Sequence, residues 1–186
     1  MNKVTRVRRA RPEDARIVAA VAAETFELAC PPGTAPESIA SFIAAHLSEA
    51  EFTRYLSTDS AIVLLADVDG EIAGYTLVIL GDPADENVME AVRNRPTAEL
   101  SKCYVRANFH GHGVARALME ASMEAAAESG AVSIWLGVNQ RNERAQRFYE
   151  KSGFERVGVK TFLVGDELHD DFVFEHVLPV RTDASA

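Results

Sequence analysis

His110-Gly111-His112-Gly113-Val114-Ala115-Arg116 separates a strand-like run, Cys103-Tyr104-Val105, from a helical segment that begins near Gly113. Glycine at 111 and 113 allows a tight turn and a close approach of the backbone to a ligand. Amides at a helix start lack carbonyl partners and sit at the positive end of the helix dipole. Together these features make an anion site suited to phosphate or pyrophosphate. The same residues also fit a plain tight turn before a helix, so the loop gains meaning from what surrounds it.

Upstream of the loop, residues 97–105 read as a strand. Downstream, residues 113–129 read as a helix stopped by Gly130, residues 132–138 as an apolar strand, and residues 142–152 as a helix stopped by Gly153. Strands follow at 154–164 and 170–178, joined by Gly165-Asp166-Glu167-Leu168-His169. Ala117, Ala121 and Ala125 recur at helical spacing and would let the helix after the loop lie close to a sheet. Nearer the N-terminus, residues 4–9 alternate like a strand, and Arg11-Pro12-Glu13-Asp14 opens an alanine-rich helix to about Leu28. Cys30-Pro31-Pro32-Gly33-Thr34 breaks that helix. A second helical region starts near Pro36, and a short helix covers 49–56. Strands at 60–66 and 71–80 flank the hairpin signal Asp69-Gly70. The acidic stretch 81–95 holds a short helix at 88–93. This order predicts one α/β domain over residues 1–180 with a tail at 181–186. Its sheet is mixed and mostly antiparallel, of about seven strands flanked by about four helices, with one parallel crossover.

A hydrophobic fraction of 47% supplies a core for a chain of 186 residues. Two cysteines, Cys30 and Cys103, argue against a disulfide framework and suit a reducing compartment. The five histidines, His110-x-His112 included, lack metal-ligand spacing, so no metal is expected. With neither a signal peptide nor an apolar run approaching about 20 residues, the expectation is a soluble cytoplasmic protein with no membrane partner. A net charge of −9 opposes nucleic-acid binding. It suits a cationic small-molecule partner, and it equally serves solubility.

Three segments in order resemble the GNAT superfamily of acyl-CoA-dependent N-acetyltransferases. The first is Tyr104-Val105 leading into Phe109-His110-Gly111-His112-Gly113-Val114-Ala115. It matches the family pattern of Gln or Arg, two residues, Gly, one residue, then Gly or Ala, with His110 in the first place. The second is Ile134-Trp135-Leu136-Gly137-Val138 followed by Asn142-Glu143-Arg144-Ala145. The third is Arg147-Phe148-Tyr149-Glu150-Lys151-Ser152-Gly153-Phe154. The likeness covers residues 60–178. Within the family, Trp135-Leu136-Gly137-Val138, Val157-Gly158 and Leu163-Val164-Gly165-Asp166-Glu167 resemble the bacterial branch that includes polyamine N-acetyltransferases.

The resemblance implies acetyl-CoA as co-substrate. His110, Gly111, His112, Gly113, Val114, Ala115 and Arg116 would cradle its pyrophosphate. Cys103, Tyr104 and Val105 would run beside the pantetheine arm as a pseudo-strand partner. A family bulge in that strand, which the sequence does not mark, would splay it from its neighbour near Leu136. Asn142 would bond the CoA arm, cap the following helix, or both. Tyr149 would protonate the departing thiolate, although with Ala145, Phe148 and Ser152 it also fits an apolar helix face. Glu99, on the strand before the loop, is the candidate base, or else an exposed strand acid. Cys103 reads as a small strand residue, since the implied mechanism is direct attack with the oxyanion held by a backbone amide near Val105. The acidic sets Asp82, Asp85, Glu86, Glu90 and Asp166, Glu167, Asp170, Asp171 would line a polyamine channel or remain solvated loops. Alternatives are acetylation of a protein N-terminus, lysine or antibiotic amine, and a non-catalytic acyl-CoA-binding regulatory module that would not need Tyr149. The last two strands could pair with a second copy in a homodimer.

Overall fold

Asp69 and Gly70 both take left-handed backbone angles, φ +54° and +88°. This is the twist that a two-residue turn needs to return one antiparallel strand onto another. The turn joins β2 (Ala61–Val68) to β3 (Glu71–Leu80), and Asp67 Oδ1 fixes it by accepting from the Gly70 amide at 2.9 Å. The computed structural model describes residues 4–164 and 166–180. Before the hairpin come β1 (Thr5–Arg9), α1 (Ala15–Ala29), α2 (Pro36–His46) and α3 (Glu49–Leu56). After it come α4 (Glu86–Ala91), β4 (Thr97–Val105), α5 (Val114–Glu128), β5 (Ser133–Asn139), α6 (Glu143–Lys151), β6 (Glu155–Val164) and β7 (Glu167–Val177).

Helix starts follow their capping chemistry. Asp14 accepts from the Arg11 amide at 2.7 Å and from the Arg8 guanidinium at 2.7 and 3.0 Å, tying the start of α1 to β1. Ser48 caps α3 and Asp85 caps α4 through side-chain oxygens. Asp85 is therefore engaged by its own helix.

Among the described residues the seven strands form one sheet in the order β1-β2-β3-β4-β5-β7-β6. Every neighbouring pair is antiparallel except β4 and β5, the predicted parallel crossover. β7 lies inside the sheet, so of the last two strands it is β6 that presents a free edge. One face of the sheet packs on α5 and α6 through Leu64, Ala66, Val78, Ala98, Leu100, Leu118, Ile134, Leu136 and Phe174. The other packs on α1, α2 and α3 through Val18, Val21, Phe52, Val63, Leu65, Tyr75 and Leu77. On this second face α4 covers the far strands, where Val88 and Val92 meet Trp135 and Val173. No described helix is long and apolar enough to cross a membrane.

Two details depart from the sequence expectation. Glu167, Leu168 and His169 belong to β7, not to the connecting loop, and their backbones pair with Val164, Leu163 and Phe162. Glu167 and Leu168 are exposed and only His169 is partly buried, so a ladder held by backbone bonds leaves no hydrophobic alternation to read. On α5 the buried stripe runs through Val114, Leu118, Met119, Ser122, Ala125 and Ala126, while Ala117 and Ala121 sit at its margin. The expected tail, 181–186, lies outside the described residues.

β3, β4 and α5 meet closely at Gly74. A Cβ there would lie 2.5 Å from the Tyr104 carbonyl oxygen, 3.1 Å from Val105 Cα and 3.2 Å from Leu118 Cδ1. Because two of these atoms are backbone, Gly74→Ala should destabilise the fold by about 1–3 kcal/mol. The effect should appear as a lower denaturant midpoint with an unchanged slope; a wild-type midpoint would show that the two strands can separate without loss.

Candidate active site

The pairing of β4 with β5 stops early. Thr97, Ala98 and Glu99 pair with Ser133, Ile134 and Trp135, and no residue pair joins the two strands beyond that point. At the same place β4 carries an extra residue against β3. Val78 pairs with Leu100 and Leu77 with Lys102, so Ser101 is a bulge. Bulges bend a strand and increase its twist. Here the bend carries Lys102 to Val105 away from Leu136, Gly137 and Val138, opening a cleft in the middle of the sheet.

On the α5 side the cleft is apolar. Cys103 and Val105 pack into the same core as Ala145, Phe148 and Tyr149 of α6. The Tyr149 ring lies edge-on to Phe148 and Phe154, with centroids 5.5 and 5.9 Å away. Burial pushes its phenol well above the usual value, with smaller contributions from Cys103 and Tyr104 nearby. Burial likewise pushes the Cys103 thiol up to about 12 and the Tyr104 phenol up to about 12. A thiol so raised is neutral at physiological pH, which suits a packing residue and not a nucleophile.

At the end of β4 the chain turns through Ala107–Phe109 into the glycine loop. Gly111 and Gly113 take φ of +80° and +75° with open space where a Cβ would stand. Glycine is therefore required by backbone angle and not by crowding. Gly113 is the N-cap of α5, so the amides of Val114, Ala115 and Arg116 have no carbonyls within their own helix. The His110 ring is turned inward, its Nε2–H donating to the Val105 carbonyl at 2.8 Å. His112 Nδ1–H donates to the His110 carbonyl at 3.1 Å. Both imidazoles thus brace the loop. Arg116 is exposed and its Nε bonds Glu120 Oε1 at 2.8 Å on its own helix. Asn142 Oδ1 accepts from the Ala145 amide at 3.1 Å and caps α6. Gln146, which the sequence did not single out, donates from Nε2 to the carbonyls of Gln140 at 2.9 Å and Asn139 at 3.3 Å, fixing how α6 leaves β5.

On the opposite face the cleft is charged. Glu99 is half-buried there beside Lys102, and burial raises its carboxyl while Lys160 and Lys102 pull the other way. Burial lowers the Lys102 ammonium, opposed by Glu99. Lys160 of β6 and Asp171 of β7 are register partners and reach across Gly137. A Cβ at Gly137 would meet Lys160 Cε at 2.5 Å and Asp171 Oδ2 at 3.3 Å. The Lys160 ammonium lies 5.4 Å from the Trp135 ring centre. Asp171 is only 6% exposed, its carboxyl raised by burial. The structure thus gathers Glu99 with Lys102, Lys160 and Asp171, of which the sequence reading had flagged only the two acids.

A strand gap at the middle of the sheet, a left-handed glycine loop at one mouth and a tyrosine across from it match a known class. The sequence profile described as the Acetyltransferase (GNAT) family matches residues 22–154, and the chain belongs to that family and is an N-acetyltransferase. It is 48% identical over 160 residues to an uncharacterized N-acetyltransferase of Mycobacterium tuberculosis, spanning 86% of this chain and 95% of that protein. The PaiA N-acetyltransferase of Thermoplasma acidophilum, solved in complex with coenzyme A, shares the fold at a TM-score of 0.72 and 19% identity, covering 94% of this chain and 99% of that one. The ribosomal-protein-S18-alanine N-acetyltransferase of Escherichia coli does so at a TM-score of 0.65 and 18% identity, covering 98% and 99%.

The raised Cys103 thiol gives a direct check on how dry the apolar wall is. At pH 8 iodoacetamide should alkylate Cys103 in the native protein about a thousandfold more slowly than free cysteine, because the thiolate is so scarce. Mass spectrometry of the Cys103 peptide reads the rate; alkylation at the free-thiol rate would mean that water reaches this wall.

Proposed function

We propose that this N-acetyltransferase moves the acetyl group of acetyl-CoA to a primary amine of a small acceptor by direct attack. The observation that carries the reading is the two-sided cleft. Tyr149 and Cys103 border it on the α5–α6 face, and Glu99 and Asp171 border it on the other. Donor and acceptor can then approach the same carbonyl carbon from opposite faces of the sheet.

In this reading the pantetheine arm lies along Cys103, Tyr104 and Val105 and takes up strand bonds that β5 does not make there. Its pyrophosphate rests against the amides of residues 111–116. The helix dipole contributes about 0.3–1 kcal/mol to holding that charge. Because His110 and His112 bond backbone carbonyls, the amides and not these rings meet the phosphate. Asn142 keeps α6 in place beside the arm.

The acceptor arrives as an ammonium ion, and an alkylamine with pKa near 10.4 is neutral in only about one molecule in 2,500 at pH 7. Glu99, directly or through water, takes its proton. The free amine then forms the new N–C bond, the carbonyl oxygen takes negative charge, and a backbone amide near Val105 stabilises it. Collapse breaks the C–S bond, the amide nitrogen gives up its second proton, and Tyr149 protonates the thiolate; one proton is released overall. In water a phenol near pKa 10 protonating a thiolate near 8.5 is uphill by about 2 kcal/mol. The Cys103 thiol, pushed up to about 12 on the same wall, indicates that a CoA thiolate there would be raised too; burial also raises the Tyr149 phenol, so the two shifts offset each other.

Resemblance to the polyamine branch would make spermidine or spermine the acceptor, while the two lysines of the cleft favour a different one. Charge and cysteine content suit the cytoplasm.

Tyr149→Phe should lower kcat about a hundredfold while leaving the Kd for acetyl-CoA close to wild type. Unchanged kcat would remove Tyr149 from the acid role. The base must be ionised, and burial raises Glu99, so kcat/KM should fall as pH drops through a value above the ordinary glutamate range of about 4.3. Glu99→Gln should flatten that limb of the pH profile; an identical profile in the variant would assign the base elsewhere.

A further inference from the structure

The acceptor face of the cleft holds two carboxylates and two ammonium groups: Glu99 and Lys102 on the β4 wall, Asp171 and Lys160 on the β6–β7 wall. The register shift at Ser101 brings Lys102 onto the face of Glu99, and the β6–β7 register sets Lys160 beside Asp171. An all-cationic acceptor would meet two like charges in a partly desolvated space, where their repulsion is strong. Among the described residues Asp171 Oδ1 is buried without a hydrogen-bond partner, although its residue is only 6% exposed. A buried carboxylate oxygen left in this way calls for a donor. Lys102 is half-buried and reaches the Ser101 hydroxyl only at a long 3.4 Å. Glu99 and, more weakly, Glu51 of α3 offset its charge without forming a direct ion pair with it, so its ammonium can still gain from an anion.

Resting on the reading of this face as the acceptor site, we propose that the acceptor is an amine that also carries a carboxylate. Glu99 and Asp171 would hold its ammonium end, and Lys102 and Lys160 its anionic end. Such a molecule leaves the charge balance of the cleft intact, whereas a polyamine does not. Lys102 is then a specificity-determining residue: it chooses among amines without touching the reacting atoms.

The test uses pairs of amines that differ only in one carboxylate: L-lysine and cadaverine, L-alanine and ethylamine, L-phenylalanine and phenethylamine. Calorimetry measures their binding to the full chain saturated with CoA, and thiol release from acetyl-CoA measures turnover. Tighter binding and higher kcat/KM for the carboxylate-bearing member of at least one pair are expected, with no pair reversed. Lys102→Met should cut that preference about tenfold, chiefly through KM, and Lys102→Arg should retain it. Equal or better binding of the plain amines, or a preference untouched by Lys102→Met, would overturn the inference. Selective binding of the amino acids without any turnover would support this inference while counting against the transfer mechanism, so the two readings fail separately.

Discussion

Everything functional in this protein depends on the early end of the β4–β5 ladder. Three residue pairs join these strands, and then the middle of a seven-stranded sheet is left open. Buried backbone amides and carbonyls must find partners, so a gap at the centre of a sheet persists only if the strands beside it are held from outside. They are. β3 pairs with β4 through to Val105, and β7 pairs with β5 through to Asn139. α5 bridges β2, β3 and β4 from one side, its Ser122 hydroxyl 2.9 Å from that of Thr76. Arg106 clamps the end of β4 to Glu24 of α1 at 3.1 Å and to Glu71 of β3 at 3.1 Å. The opening is a property of the whole sheet, and the β4 edge between Lys102 and Val105, apart from the Val105 carbonyl that His110 occupies, is what a ligand rich in amides can complete.

The bulge at Ser101 has a second consequence, through side-chain parity. In an unbroken strand Glu99, Ser101, Cys103 and Val105 would share one face, and Leu100, Lys102 and Tyr104 the other. One extra residue exchanges the partners. Leu100, Cys103 and Val105 turn together toward α5, and Glu99, Lys102 and Tyr104 turn together toward α1–α3. A single backbone irregularity therefore separates an apolar wall from a charged one.

That exchange explains how far the sequence could be read. The glycine loop, the helix behind it and the parallel crossover were legible because each is local: left-handed glycines, a helix stop at Gly130, an apolar run at 132–138. The family likeness rested on the same local segments. Lys102 was invisible as a cleft residue because strict alternation puts it opposite Glu99, and nothing in Leu100-Ser101-Lys102 announces an extra residue. Lys160 and Asp171 are 11 positions apart and meet only through the β6–β7 register. That register was obscured because the exposed start of β7 looks like loop. His110 departs from the family pattern, and its inward bond to Val105 could not be inferred from residue type, since an imidazole can equally face a ligand or brace a turn.

The two walls demand opposite things of their surroundings. Leaving-group protonation is favoured where an unsolvated thiolate is costly, although the same dryness makes a phenol hold its proton more tightly; the raised Cys103 thiol and Tyr149 phenol are two signs of one such environment. Amine activation favours a polar one, in which a proton has somewhere to go, and Glu99, Lys102, Lys160 and Asp171 supply it. Neither set could serve both steps if the strands stayed paired, because a continuous sheet would separate them by its full thickness. Opening the ladder makes one carbonyl carbon accessible to both environments at once. Gly137 belongs to the same solution: with no side chain on β5 at that point, the Lys160 ammonium and the Asp171 carboxylate lie over the strand on its charged face.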